Sequence, residues 1–567
     1  MASTASRPFP CSTLLCSALL LLLAACRSAA PRAAEPASTP GRTVKVQLLA
    51  LNDFHGQLTP PAAPLVLRRD AAGKPVRVDA GGVAFLAEHI ARLRAENPRN
   101  TLVVSAGDLV GASPLVSALF HDEPTVEAMN LLGLDLSAVG NHEFDEGREE
   151  LLRLQRGGCH PKDGCQDGTP FEGARFQFLA ANVVDDADEP ILPAYAVRSF
   201  EGVKVAFIGV TLEDTPTLVT ASGVSGLRFR DEVLTVNRLV PRLQAQGIEA
   251  FVLMLHEGGE QAPGGRYDGC EGVSGPIVDI ARDLSPAVDV VLTGHTHQAY
   301  DCVLHGKRVT SAASMGRLVT DLDLTLDRES GEVVQVQSRQ VVVTRDVPPA
   351  PAPQALVARY KALAAPLERR PVGFLQGPLM QPPRVLPPDA TGESTLGNVI
   401  ADAQLEATRQ AGTQVSFMNP GGIRADVDAG EVTYGEVFKV HPFGNTLVTF
   451  TLTGRELHTL LEQQWLGPYS RILSPSRGFS YAWSDAAPPG AKVDPASLRL
   501  HGEPVLPERE YRVTVNSFLA AGGDGFSALP RGRARVGGPL DVDALESYLR
   551  AHNPLAPPPL DRIRRLP

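Results

Sequence analysis

Three shortages narrow the reading of this 567-residue chain before any motif is considered. It has no surplus of positive charge: 53 Lys and Arg stand against 64 Asp and Glu, a net charge of −11. That balance argues against a protein that grips nucleic acid through its phosphate backbone, and Arg531, Arg533 and Arg535 read as solvated loop charges. It has no apolar run of the about 20 residues that a membrane span needs. It has only seven cysteines and no C-x-x-C pair, which argues against a zinc ribbon.

What is present starts at the N-terminus. An apolar run of about a dozen residues, Leu14 to Ala25, ends in Leu23-Ala24-Ala25-Cys26. It resembles a bacterial lipoprotein signal peptide spanning residues 1–26, with Cys26 as the lipidation site; an ordinary secretory signal cut near Ala25 is the alternative. Either implies an exported protein, periplasmic or at the cell surface; the lipoprotein reading adds an N-terminal lipid anchor as the protein's only contact with a membrane. Residues 27–42, rich in Ala, Pro and Ser, bury too little apolar surface to fold and read as a tether. Four further cysteines form an even set in an oxidising compartment, and proximity in sequence pairs Cys159 with Cys165 and Cys270 with Cys302.

From Thr43 onward, short runs of Val, Leu, Ile and Phe end repeatedly in polar loops: Lys45 to Asn52, Thr101 to Ser105, Val203 to Gly209, Phe251 to Leu255 and Val288 to Thr293. Stretches of helical spacing, such as Gly82 to Leu93, lie between them. This is the pattern of an α/β domain with buried strands. Asp53-Phe-His55 follows the first run and Gly107-Asp108 the second. Asn141-His142 follows another short apolar run, Leu136 to Val139; His256 and Gly294-His295-Thr-His297 follow the last two. Polar loops after strands are often only turns, and Gly140-Asn-His-Glu-Phe-Asp-Glu-Gly147 alone fits that reading. Five such loops carrying Asp, Asn or His point to a metal centre, because ligands in α/β sheets gather at the carboxyl ends of the strands.

Carboxylate, amide and imidazole without thiolate suit Zn, Mn, Fe or Co. Seven groups are too many for one ion. Two divalent ions bridged by Asp108 would lie about 3.5–4 Å apart, the spacing that serves in-line displacement at phosphorus. With Asp53 and Asp108 the only carboxylates, the centre keeps a positive surplus that suits a phosphate ester.

In order and spacing these five motifs resemble those of the calcineurin-like metallophosphoesterases. Asn141-His-Glu-Phe-Asp145 with a following domain resembles the 5′-nucleotidase family, which includes periplasmic UDP-sugar hydrolases. The resemblance implies a four-layer α/β sandwich over residues 43–345, a linker helix over 346–370 and a smaller α/β substrate-binding domain over 371–567. It also implies one metal on Asp53, His55, Asp108 and His297, a second on Asp108, Asn141, His256 and His295, and a catalytic dyad of His142 and Asp145. Glu143 and Glu146 are left as turn or supporting residues.

The linker is marked by Asp346-Val-Pro-Pro-Ala-Pro and by the Ala- and Leu-rich stretch Gln354 to Arg369. The second domain carries Glu393-Ser-Thr-Leu-Gly-Asn398, which opens a helix, and then Asn419-Pro-Gly-Gly-Ile-Arg424, His441-Pro-Phe-Gly-Asn445 and Phe518-Leu-Ala-Ala-Gly-Gly-Asp524. By the same resemblance Phe443 and Phe518 sandwich a base, Asp524 faces ribose hydroxyls, and Asn419 and Arg424 contact substrate. An arginine usual before the Glu393 motif is missing, since Ala390-Thr391-Gly392 stand there; phosphate binding by this domain then rests more on Arg424. The expected function is an exported 5′-nucleotidase. UDP-sugar diphosphatase and 2′,3′-cyclic phosphodiesterase are the alternatives, with a thiosulfohydrolase disfavoured by the phenylalanine pair. A nucleotide-binding protein on an inactive scaffold is the non-enzymatic alternative.

Overall fold

In the N-terminal half the central strands read as mainly apolar runs because both of their faces are covered. Along Thr43–Leu51, Val44, Val46, Leu48 and Ala50 point into one apolar cluster while Leu49 and Leu51 point into another, the period of two that a pleated strand imposes. Ala250–His256 divides the same way: Val252 and Met254 join the first cluster, Phe251, Leu253 and Leu255 a third. The shared cluster lies between two six-stranded sheets, and the outer clusters lie beneath helices, so the layers run helix, sheet, sheet, helix. These features belong to a computed structural model that describes residues 41–566 apart from 71–72, 220–221, 263, 384–385, 388 and 467–469. The signal peptide and Cys26 lie outside the described residues.

The first sheet runs Val333–Val342, Leu318–Asp327, Thr43–Leu51, Thr101–Ser105, Leu136–Ala138, Gln177–Leu179, with the last four parallel. The second runs Ala299–Leu304, Lys307–Ala312, Val290–Thr293, Ala250–His256, Val203–Thr211, Tyr195–Phe200, parallel in its middle four. Helices Val83–Arg94 and Glu123–Leu132 cover the first, and Glu232–Gln244 and Pro276–Asp283 the second. Cys159 and Cys165, and Cys270 and Cys302, lie at disulfide distance, with Cα atoms 4.7 and 5.1 Å apart.

Helix Pro351–Glu368 follows. Prolines in its first turn are tolerated because those N–H groups have no helical partner anyway. Tyr360 and Ala364 are buried, and the Tyr360 ring meets Phe120 edge-on at 4.9 Å. The second domain is built on a five-stranded sheet ordered Ser474–Pro475, Val415–Met418, Glu510–Asn516, Thr446–Thr453, Arg533–Leu540. Helix Thr395–Ala407 opens as expected at the Glu393 motif, with Ser394 Oγ accepting the Gly397 N–H at 3.0 Å. One expectation needs correction: Arg533 and Arg535 are solvated, but they lie on an exposed edge strand, because pairing with Thr446–Thr453 draws the segment into the sheet.

Candidate metal centre and substrate cleft

The polar loops after the strands converge, and they come from both sheets. Asp53, His55, Asp108 and Asn141 follow strands of the first sheet; His256 ends a strand of the second, and His295 and His297 follow another. All seven except His295 and His297 are fully buried. Asp53, His55, Asp108, His295 and His297 have φ between 49° and 69°, the left-handed region that costs a residue with a Cβ. Such conformations persist where the surroundings over-determine them, and they gather at functional sites. Two glycines let the loops close: a Cβ on Gly107, at φ 93°, would lie 2.6 Å from Gly140 N, and one on Gly140 would lie 2.2 Å from Asp108 Oδ1.

Hydrogen bonds behind the imidazoles set their tautomers. His55 Nδ1 donates to Gly111 O at 2.9 Å and His256 Nδ1 to Ala106 O at 2.8 Å, which leaves the Nε2 lone pairs facing inward. His55 Nε2 then lies 3.0 Å from His297 Nε2. His256 Nε2 is buried without a hydrogen bond of good geometry, although Asp108 Oδ2 is 3.0 Å away. His295 Nδ1 approaches Asn141 Oδ1 at 3.1 Å. Electron-rich atoms so placed need positive charge among them, and the nitrogen and oxygen donors fit divalent ions of the zinc, manganese, iron or cobalt type.

Burial pushes His55 and His295 down to about 3, so both are neutral ligand-ready imidazoles. Burial pushes Asp53 up to about 7, with His256 opposing it. Burial would also raise Asp108, but His256, His142 and His55 hold its carboxyl well below the usual carboxylate range. His256 is lowered by burial and raised more by Asp108, to about 10. A proton there occupies the position that a cation would take.

His142 stands beside this cluster. Its Nδ1 is 2.7 Å from Asp145 Oδ2 and its backbone N–H donates to Asp108 Oδ1 at 3.0 Å. Burial lowers its pKa, but Asp145 and Asp108 outweigh burial and raise it. Sequence reasoning gave Glu143 no chemistry, yet its buried carboxylate accepts the N–H groups of Asp108, Leu109 and Gly140 at 3.0, 2.8 and 2.5 Å. It thus ties two of the loops together. Only its place inside the Asn141 motif signalled this.

The second domain closes the cleft. Asn419, Arg424, Phe443, Phe518 and Asp524 line it together with Asn141, His142, Asp145 and His295, so the two halves of the sequence-derived site face one space. Asn419 Nδ2 donates to Asp524 Oδ2 at 2.7 Å and Asn516 Nδ2 to Asn419 Oδ1 at 3.0 Å. The Arg424 guanidinium lies 5.5 Å over the Phe443 ring, which is stacked against His142 at 5.8 Å. Four participants escaped the sequence reading: Leu218 and Val219, which add an apolar wall from the N-terminal half, Asn516, which holds Asn419, and Arg471, whose Nε lies 3.6 Å from Asp524 Oδ1. None carries a motif, since each reaches the cleft only through the fold.

The calcineurin-like phosphoesterase profile matches residues 46–299, and the 5′-nucleotidase C-terminal domain profile matches residues 371–531. A cell wall protein of Listeria monocytogenes is 32% identical over 555 residues, covering 92% of this chain and 69% of that protein. An endonuclease of Bacillus subtilis is 31% identical over 523 residues, which span 91% of this chain and 40% of the relative's length. The solved structure of a 5′-nucleotidase precursor from Thermus thermophilus superposes with a TM-score of 0.73 at 28% identity, covering 92% of this chain and 99% of that one. Loops from two facing sheets, a second domain completing their cleft and these matches in the same order lead to one assignment: the chain belongs to the family that joins a calcineurin-like phosphoesterase domain to a 5′-nucleotidase C-terminal domain.

Proposed function

We propose that this protein is an exported hydrolase that releases phosphate from nucleoside 5′-monophosphates at a two-cation centre. The observation that carries the reading is the single cleft in which the Asp, Asn and His cluster meets Phe443, Phe518 and Asp524. Asp53, His55, Asp108 and His297 would hold one cation, and Asp108, Asn141, His256 and His295 the other. When bound, the two ions supply Lewis-acid charge to the phosphoryl group and to the attacking water. Arg424 binds the phosphate. Asp145 holds His142 through Nδ1, so that Nε2 is free to give a proton to the departing 5′-oxygen as the P–O bond breaks and the water oxygen bonds to phosphorus. Phe443 and Phe518 hold the base by stacking, which tolerates any base, and Asp524, kept in place by Asn419, accepts from ribose hydroxyls. We place the functional boundaries at residues 43–345, 346–370 and 371–567. The Leu-Ala-Ala-Cys26 sequence and the two cysteine pairs support export and a lipid anchor.

The test follows phosphate release and, by chromatography, the organic products from a panel of AMP, other nucleoside monophosphates, UDP-glucose, 2′,3′-cyclic AMP and single-stranded DNA, on metal-stripped protein with Zn, Mn, Fe or Co restored. Release from the monophosphates is the expected result. Cleavage of UDP-glucose or the cyclic nucleotide alone would move the function to the diphosphatase or phosphodiesterase reading, and no turnover of any compound would refute the hydrolase.

A further inference from the structure

Behind the His142–Asp145 pair, and outside the cleft, lies a second cluster of histidines and carboxylates. His121 sits at φ 50° in the turn before helix Glu123–Leu132. Its Nδ1 is 2.8 Å from Glu146 Oε2 and its Nε2 is 2.9 Å from Asp163 Oδ2. The His160 ring stacks on it, with centroids 3.7 Å apart and planes 18° from parallel. His160 Nδ1 lies 3.2 Å from the same Asp163 Oδ2. The Asp163 backbone N–H also points at that nitrogen, at 3.2 Å. A nitrogen that accepts this N–H carries a lone pair, and a lone pair 3.2 Å from a carboxylate oxygen repels it unless positive charge lies nearby.

The His121 ring has the arrangement of a metal-binding imidazole. A carboxylate behind Nδ1 fixes the proton there and directs the Nε2 lone pair forward, as such partners do for ligating histidines. We propose that His121 Nε2, His160 Nδ1 and Asp163 Oδ2 form a further divalent-cation site of the zinc class, with Glu146 orienting His121. Two imidazole nitrogens, one carboxylate oxygen and a water complete a tetrahedral zinc set, whose donors stand ~3.4 Å apart when the bonds are ~2.1 Å. The present spacings are a few tenths of an ångström shorter, and for both in-plane lone pairs to meet one ion the stacked rings turn apart and His160 Nδ1 gives up the Asp163 N–H, movements confined to an exposed loop. His160 and Asp163 lie inside the loop closed by Cys159 and Cys165, so two of the three donors are already held together. The side chains are accessible, with 15% exposure for His121, 12% for His160 and 48% for Asp163.

The position suggests what the ion would do. Glu146 directly follows Asp145. Asp122, which follows His121, accepts the Gly111 N–H at 3.0 Å, and the Gly111 carbonyl accepts from His55. A cation here pins the disulfide loop onto the two segments that back the main centre. It acts as a structural tie and touches no substrate.

The test counts metal in the full chain. Wild type, His160→Ala and Asp163→Ala are stripped with chelator, checked by circular dichroism, reloaded with zinc, passed through gel filtration and analysed by mass spectrometry. Each variant is expected to carry one zinc per chain fewer than wild type. Cobalt loading is expected to lose one tetrahedral visible-absorption component in the same variants. If His160→Ala fails to fold, Asp163→Ala, which changes an exposed side chain, decides the matter. Equal zinc counts in wild type and a folded variant would overturn the site and leave His121 as an imidazolium clamped between Glu146 and Asp163.

Discussion

Glu143→Gln is nearly isosteric and isolates what the Glu143 carboxylate contributes. In the wild type Oε1 accepts the Leu109 N–H, and Oε2 accepts those of Asp108 and Gly140. A carboxamide has only one acceptor oxygen. Its best placement keeps that oxygen on Asp108 and Gly140 and turns the NH2 group onto the Leu109 N–H, donor against donor in a buried site. One unsatisfied buried amide costs about 1–3 kcal/mol; burial and the neighbouring Asp108 raise the Glu143 carboxyl to about 7, so loss of its charge adds nothing to that cost. Each kcal/mol lowers Tm by about 2–4 °C in a domain of this size, so we expect a fall of roughly 2–12 °C. The same loops carry Asp108 and Asn141, and changes in such supporting contacts weaken metal sites about 10–100-fold. Phosphate release measured against free metal should therefore need about 10–100-fold more cation for half activity, while KM for AMP at saturating metal stays near wild type because Glu143 does not line the cleft. An unchanged metal requirement with an unchanged Tm would show that the amide clamp does not shape the centre.

Four further outcomes are expected. His142→Ala should retain its metal and lose about 10²–10⁴-fold in kcat, whereas Asp108→Ala should lose most of its metal; mass spectrometry and turnover on the same samples separate the two roles, and full metal in Asp108→Ala would contradict the bridging assignment. Phe518→Ala, and separately Phe443→Ala, should raise KM for AMP about tenfold or more and leave an aryl phosphate almost untouched; equal losses on both substrates would mean that the rings are core residues. Asp289, whose carboxylate accepts the Phe251 N–H at 2.9 Å, is pushed by burial up to about 7. A raised carboxyl costs stability increasingly as pH climbs from about 4 to 7, so Asp289→Asn should melt higher than wild type at pH 8 and converge with it near pH 4, and a constant difference in Tm across that range would refute the burial argument. Cys26→Ser should abolish incorporation of labelled palmitate in a bacterial host, and labelling that survives the change would place the lipid elsewhere.

The motif residues were legible from sequence because the requirements they meet are local. An Asp-x-His after an apolar run, or Gly-Asn-His at a strand end, places donor atoms within a few residues of a β-strand terminus, and strand termini can be recognised from apolar runs alone. The central strands were readable for the same reason: both faces of Ala250–His256 are buried, so no polar residue interrupts it before its terminal histidine. Pairing of the cysteines by proximity agrees with the structure because the short loop Cys159–Cys165 and the span Cys270–Cys302 each return on themselves.

Tertiary structure decided what no short window contains. Glu143 had to meet the amides of Asp108 and Leu109, some 35 residues away in sequence, before it differed from any turn glutamate. Leu218, Val219 and Arg471 became part of the cleft only when the second domain packed over the first, and His121 met His160 and Asp163 only when the disulfide loop folded back over the turn. The sequence by itself therefore determined the chemistry on each loop, since side-chain type and strand ends are local properties. Which loops share a site, and which tautomer each imidazole takes, depends on distances set by the packing of two sheets and a second domain, and those distances are a property of the whole chain.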